Sequence, residues 1–344
     1  MSFDVALIMG AGAFGTSMAS VLAENFELVI LKVRDDEIYQ SINSDRENCV
    51  YLPGQNLASN IRAAKSWEEI DELVGTKSVQ LLVNGLPTSA ILPFYAENGE
   101  KIETYLKAGI PFMSISKGID PDTLDLSDDL FNNYFWQYED QICYLSGPSF
   151  AKEIVDKQVT IVALAGKTPD LLLDVATKMN TDYFKAMPTY DIKGVLLGGA
   201  LKNILAIAGG MLEGLGYNHN TRAAMITRGI TEMLRFGKVF NGRPETFYSF
   251  SGMGDLILTT TSSLSRNKTF GVDIAKSGKT PSEIINSQRS VVEGYKTTKA
   301  AYRLAKKYKI RAPMFEGIYQ ILYNDVDPKE VLNKLMSLPI RSVE

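Results

Sequence analysis

Short apolar runs recur along the first half of the chain, at Val5–Met9, Leu28–Val33, Val79–Val83, Phe112–Ser116, Gln141–Leu145 and Thr160–Ala165. Most are apolar at consecutive positions, the pattern of strands buried on both faces. Helical patterns separate several of them, the βαβ alternation of a doubly wound parallel sheet. After about Asp191 no convincing strand run follows. Gly194–Leu215 is apolar nearly all round and rich in Ala, Leu and Ile, as expected of a helix in a domain interior. Thr221–Gly237, Thr280–Val291, Tyr295–Tyr308, Pro313–Tyr323 and Pro328–Met336 read as further helices. The pattern predicts two domains, an α/β domain over 1–190 and an all-helical one over 191–344, with the change near Pro188–Lys193. The length of 344 residues suits two domains of ordinary size.

Composition narrows the chemistry. A net charge of −4 argues against a general nucleic-acid or membrane binder. The two cysteines, Cys49 and Cys143, form neither a CxxC pair nor a metal-type spacing, and read as free thiols in a reducing cytoplasm. The start, Met1-Ser2-Phe3-Asp4, has no basic n-region, and the short apolar run after it reads as a strand, not a signal peptide. No window is expected to approach the ~18 apolar residues of a membrane span. His219, in the polar turn Gly216–Asn220, is the single histidine, so a Ser-His-Asp triad, a Cys-His pair or a multi-histidine metal site can depend on no other; in an exposed polar turn it reads as structural or incidental, and no metal site is read. If the chain transfers a proton, a lysine or a carboxylate is the better candidate for it than His219.

Gly10-Ala11-Gly12-Ala13-Phe14-Gly15 fits GxGxxG. Alone that pattern is weak, but here it follows a strand, opens a helix over Thr16–Glu24 and precedes a second strand. In that context Gly10 permits the turn, Gly12 lets backbone approach a pyrophosphate, and Gly15 lets helix pack on strand. Free N–H groups at the helix start meet the phosphate charge. The N-terminal domain is therefore expected to be a Rossmann-type dinucleotide-binding domain. NAD sites place an acid about 20 residues on, and NADP sites a nearby arginine. Leu31-Lys32-Val33-Arg34-Asp35-Asp36 carries both; Arg34 comes first and Lys32 adds charge, which favours NADP over NAD. Asn84-Gly85-Leu86-Pro87, Lys117-Gly118 and Ser146-Gly147-Pro148-Ser149 follow strands and are placed to line the cofactor crevice, or serve as ordinary turns.

In the second half, Lys202 lies inside the most apolar helix. Gly198, Gly199, Ala206 and Gly209 share its face, leaving room for a small substrate. Apolar surroundings would push its pKa down toward acid–base use, although close helix packing with a snorkelling lysine reads equally well. Hydroxyls, Arg266 and Asn267 in Thr259–Lys268 suit a phosphate or carboxylate, or else cap the next helix. Asp255 follows Gly252-Met253-Gly254, as a positioned carboxylate or as a helix N-cap.

At these residues the chain resembles the bacterial NAD(P)-dependent glycerol-3-phosphate dehydrogenase family. The matching stretches are Gly10–Gly15, Ser116–Gly118, Leu145–Glu153, Gly199–Asn203, Ile226–Gly229, Gly254–Leu256, Ser265–Asn267 and Val292–Tyr295, in the family's order and over nearly the whole chain. The resemblance implies reduction of dihydroxyacetone phosphate to sn-glycerol 3-phosphate, a phospholipid precursor. It makes Lys202 the proton donor and acceptor, with Lys117 and Asp255 as further catalytic residues. Lys117 would contact substrate and cofactor, and Asp255 and Thr259 would hold substrate hydroxyls or lysines. Ser265, Arg266 and Asn267 would bind the phosphate end, with Asn203, Gly147 and Ser149 also at the substrate. Gly10, Gly12, Ala13, Phe14, Gly15, Arg34, Pro87, Lys117, Ala151, Arg266, Val291 and Glu293 would meet the cofactor. It further implies a homodimer acting on a triose phosphate; with the charge and the cysteines as read above, the chain is expected in the cytoplasm with no nucleic-acid or integral-membrane partner. Ala13 departs from the family's serine, and Asn84-Gly85-Leu86-Pro87-Thr88 from its valine-valine-proline-serine.

Overall fold

The computed structural model describes residues 2–287 and 292–339. The chain forms two compact units, Met1–Lys117 with Ser127–Leu196, and Gly118–Leu126 with Leu197–Glu344.

The first unit is built on eight strands: β1 (Phe3–Met9), β2 (Phe26–Lys32), β3 (Ile61–Ala64), β4 (Val79–Asn84), β5 (Phe112–Ser114), β6 (Ile142–Ser146), β7 (Thr160–Gly166) and β8 (Phe184–Thr189). Their order is β3-β2-β1-β4-β5-β6-β7-β8. Only β6 and β7 run antiparallel; the other pairs are parallel. The strand order reverses between β1 and β4, so the crevice beyond their carboxyl ends is where an open α/β sheet takes a ligand.

The β1 sequence explains its central place. Val5 through Met9 are all fully buried. Ala6 and Ile8 join a core with Met18, Ala19 and Leu22 of the helix Ala13–Leu22 and with Ile154, Leu172 and Met179. The alternate residues point to the opposite face, so both sides of the strand are apolar. Two strands fall outside the apolar-run pattern. Both β3 and β8 are edge strands, and each has positions that break an apolar run: Arg62 in one, Lys185 and Pro188 in the other. An edge strand is covered less, so its sequence need not be continuously apolar, and proline is tolerated there. β5 stops at Ser114, two residues earlier than the apolar run suggests.

The second unit contains helices among its described residues. The principal ones are His219–Val239, Asp255–Thr261, Arg266–Lys276, Glu293–Lys307, Pro313–Asn324 and Pro328–Met336. Helix Ile192–Gly214 carries the chain from the first unit into the second. Asp191 starts it, its carboxylate accepting the Gly194 N–H at 3.0 Å. The expectation that no segment approaches a membrane span does not hold for this helix. By length and composition it could cross one, with a mean hydropathy of 1.7, but 89% of that window is buried inside the protein. Its apolar surface is used for packing. His219 also differs from its expected turn: it is exposed and is the first residue of a helix. Helix Thr280–Val291 is seen as Pro281–Ser287, and the remainder of that stretch lies partly outside the described residues.

Candidate active site

In the first unit, Gly10 has φ +107°, a conformation that favours glycine. A Cβ there would also come within 3.0 Å of the Gly85 carbonyl oxygen, where β1 and β4 end side by side. A Cβ on Gly15 would overlap the Gly10 carbonyl oxygen, so the helix packs onto the loop only because no side chain intervenes. Gly12 is different. A Cβ there would meet nothing within 4 Å, and it stands as N-cap of Ala13–Leu22 with no side-chain cap. Open space before uncapped helix N–H groups fits a pyrophosphate.

The residues beyond the neighbouring strands gather around this loop. Lys117 Nζ donates to the Gly147 carbonyl at 3.0 Å and to Ser149 Oγ at 3.3 Å, and lies 5.2 Å from the centre of the Phe14 ring. Asn84, buried at the end of β4, donates to Ser114 Oγ at 3.3 Å and Ser116 Oγ at 3.1 Å. Ser116 Oγ in turn donates to the Leu86 carbonyl at 2.6 Å. This polar network braces the Asn84–Thr88 turn, one of the segments expected beside the cofactor crevice. Pro87 is the exposed N-cap of Thr88–Lys107, and Ala151 opens the short helix Ala151–Val155.

At the end of β2 the acid and the base separate. Asp35 is the N-cap of Asp36–Gln40, its carboxylate accepting the Glu37 N–H at 2.9 Å and the Ile38 N–H at 3.3 Å. Arg34 is exposed and pairs with no described residue. Lys32 does not add a free charge beside it. Its Nζ donates to the Lys65 carbonyl at 2.9 Å and lies over the Trp67 ring. Burial pushes the Lys32 ammonium below its ordinary value, with Glu68 and Glu97 opposing.

In the second unit, Lys202 and Asp255 form a buried ion pair, with Lys202 about 7% and Asp255 about 1% exposed. Lys202 Nζ also donates to Thr259 Oγ1 at 3.0 Å. Thr259 Oγ1 donates to the Asp255 carbonyl at 2.6 Å, one turn back on the same helix. The expected apolar surroundings therefore end at the ammonium, which is held in a charged and hydroxylic pocket. On the glycine face, Gly198 follows the packing alternative. A Cβ on Gly198 would lie 2.6 Å from the Ser251 carbonyl oxygen, so Gly198 serves close packing against Phe250–Gly254 and not space for a ligand.

A second chain of contacts joins two more of the expected residues to Gly294. Asn267 Nδ2 donates to Asn203 Oδ1 at 3.0 Å, and Asn267 Oδ1 accepts the Gly294 N–H at 2.9 Å. That places Asn203, Asn267 and the start of the helix beginning at Glu293 together. Ser265 is the N-cap of Arg266–Lys276, its Oγ accepting the Lys268 N–H at 3.2 Å. Arg266 is exposed at the first position of that helix and pairs with no described residue. Val291 lies outside the described residues.

Two family models cover most of the chain: the NAD-dependent glycerol-3-phosphate dehydrogenase N-terminus over residues 5–172 and the C-terminus over 191–333. The chain belongs to the NAD-dependent glycerol-3-phosphate dehydrogenase family.

Curated members of that family match at full length. The glycerol-3-phosphate dehydrogenase [NAD(P)+] of Leptospira biflexa is 38% identical over 97% of this chain and 98% of its own. That of Bacillus cytotoxicus is 38% identical over 96% and 94%. Among solved structures, the glycerol-3-phosphate dehydrogenase of Coxiella burnetii superposes with a TM-score of 0.86 at 29% identity, covering 98% of this chain and 99% of that one. The resemblance drawn from the motifs, and the Rossmann-type sheet followed by helices, agree with these relatives.

Proposed function

We propose that the chain reduces dihydroxyacetone phosphate reversibly to sn-glycerol 3-phosphate, with Lys202 moving the proton. The carrying observation is the buried group Lys202–Asp255–Thr259, in a chain of this family that also has an open glycine loop. When bound, the reduced nicotinamide supplies a hydride to the ketone carbon. The ketone oxygen then gains negative charge. A lysine ammonium beside it stabilises that charge and gives up a proton; in the reverse direction the amine takes the proton back. Asp255 and Thr259 fix where Nζ points, so the geometry is set before substrate arrives.

Arg266 offers a planar fork to the substrate phosphate, with Ser265 and Asn267 as its neighbours in sequence and Asn203 hydrogen-bonded to Asn267. Binding energy gained at that remote end orients the carbonyl. Lys117, Gly147 and Ser149 are assigned to further substrate contacts. Gly10, Gly12, Ala13, Phe14 and Gly15 are assigned to the dinucleotide, with Pro87, Lys117, Ala151, Arg266 and Glu293.

NADP is the preferred cofactor in this reading. Asp35, the acid that would take a ribose hydroxyl, is engaged as a helix cap, while Arg34 is exposed. An arginine there pairs with the 2′-phosphate that distinguishes NADP. We place the reaction in the cytoplasm as a supply of phospholipid precursor, consistent with two free cysteines, and propose a homodimer, which light scattering would read directly.

The test is oxidation of NADPH, and separately of NADH, with dihydroxyacetone phosphate and with a 2-keto acid. Turnover of dihydroxyacetone phosphate with a lower KM for NADPH is expected. Activity on the keto acid alone would overturn the substrate assignment, and a lower KM for NADH would overturn the cofactor preference.

A further inference from the structure

We propose that Asn48 is a positioning residue for the dinucleotide pyrophosphate, because it turns the Ala11–Gly12 peptide so that the Gly12 N–H faces out of the loop. The inference rests on the dinucleotide reading of Gly10–Gly15.

Asn48 lies well outside that motif and is fully buried. Its amide is almost saturated by hydrogen bonds. Nδ2 donates to the Ala11 carbonyl at 2.9 Å and to Thr16 Oγ1 at 2.8 Å, and Oδ1 accepts the Tyr51 N–H at 3.1 Å. The amide thus joins three pieces of chain: the middle of the glycine loop, the first turn of the helix after it, and the turn at Asn48–Leu52. A hydrophobic residue would fill this place if packing were its whole purpose. A buried primary amide is instead costly unless its bonds are made, and here they are made to the loop itself.

The consequence follows from peptide geometry. The Ala11 carbonyl and the Gly12 N–H belong to one planar trans unit and point in opposite directions. Drawing the carbonyl inward onto Asn48 therefore turns the Gly12 N–H outward. Beside it, where a Cβ on Gly12 would stand, nothing lies within 4 Å. The Gly12 N–H donates to no described residue. Gly12 has φ −69° and ψ 175°, an ordinary extended conformation, so its own backbone preference does not fix the peptide's direction. The direction comes from what holds the Ala11 carbonyl. Thr16 Oγ1 approaches that carbonyl more distantly, at 3.4 Å, which leaves Asn48 as its main donor.

The test uses the full-length protein and isothermal titration. One ligand is whichever of NADPH and NADH the wild type binds more tightly. The other is adenosine, which lacks the pyrophosphate. For Asn48→Ala, affinity for the dinucleotide should fall roughly ten- to a hundredfold, the range for losing one aimed bond to a charged group. Adenosine affinity should stay within about twofold of wild type, since none of its contacts pass through this peptide. In turnover assays the dinucleotide KM should rise with kcat unchanged. Asn48→Asp keeps the size and the Tyr51 contact while losing the donor, and should show the same selective loss if the alanine variant does not fold. Thr16→Val should bind the dinucleotide nearly as wild type, because the Asn48–Ala11 bond remains. Equal losses for dinucleotide and adenosine would mean that Asn48 only braces the fold, and would overturn the inference. Unchanged dinucleotide affinity in both Asn48 variants would overturn it too. A wild type that binds neither dinucleotide would overturn the underlying reading along with it.

Discussion

The glycine loop at the end of β1 and the pocket around Lys202 present ligand-binding groups made of different material. In the loop the groups are backbone: uncapped N–H groups before open space, with side chains kept away at Gly10, Gly12 and Gly15. Around Lys202 they are side chains drawn from separate helices, with Asp255 53 residues away and Thr259 57. A backbone site is specified by a short run of residues, and a change there alters shape. A side-chain site is specified by long-range packing, and a change there leaves a buried charge exposed to imbalance. The two regions should therefore fail in different ways when mutated.

The largest effect is expected where the side-chain site is broken from its buried end. Asp255→Ala leaves the Lys202 ammonium buried without its carboxylate, a loss of about 3–5 kcal/mol of stability together with most of the turnover. Chemical denaturation and steady-state assays read the two separately. Dinucleotide affinity should hold, because the glycine loop does not depend on this pair; a matching loss of affinity would break the distinction between the regions. At the exposed end, Arg266→Ala should raise the KM for dihydroxyacetone phosphate by roughly a hundredfold, with stability changed by less than about 1 kcal/mol. An unchanged KM would remove Arg266 from phosphate binding.

On the loop side, Arg34→Ala should lower the preference for NADPH over NADH by about tenfold and leave NADH kinetics alone. Equal loss with both cofactors would mean that Arg34 supports the fold and does not choose between them. An effect on stability alone concerns Glu232, fully buried in the second unit. Burial pushes its carboxyl up to about 7, against N–H donors from Met314 and Phe315 and the charges of Arg228 and Arg235. An unfolded glutamate titrates at about 4.3, so the folded chain holds the extra proton between the two values. Its contribution is then fully present below the lower value and lost as pH rises to the upper one. The Tm should fall by a few degrees over that window, and Glu232→Gln should flatten the fall; an equal slope in both proteins would exclude Glu232 as its source.

The same contrast explains what could be read in the sequence. The Val5–Met9 run and the glycines directly after it are local, and their pattern carries both the strand and the turn. The match of Lys202, Asp255, Arg266 and Asn267 to a family's motifs marked them as candidates, but spacing alone left each with a structural alternative. Those alternatives were partly realised: Gly198 packs against Ser251, and Ser265 caps a helix. That Asp255 faces Lys202 was not legible from spacing, because the contact depends on how two helices pack; only the resemblance offered a lysine as one of its two possible partners. β3 and β8 escaped because edge strands lose the continuous apolar pattern. Asn48 escaped because one asparagine in a polar stretch has no periodic or motif signal; its meaning lies in the Ala11 carbonyl that it reaches.

The most direct test of the central claim is Lys202→Met, assayed for turnover of dihydroxyacetone phosphate alongside its affinity for NADPH. Methionine keeps the length and removes the proton and the charge. The account predicts a fall in kcat of at least about a thousandfold, the upper part of the range for an acid–base group with charge stabilisation, and NADPH affinity within about threefold of wild type. Near-normal turnover with intact NADPH binding would contradict the assignment of the proton to Lys202.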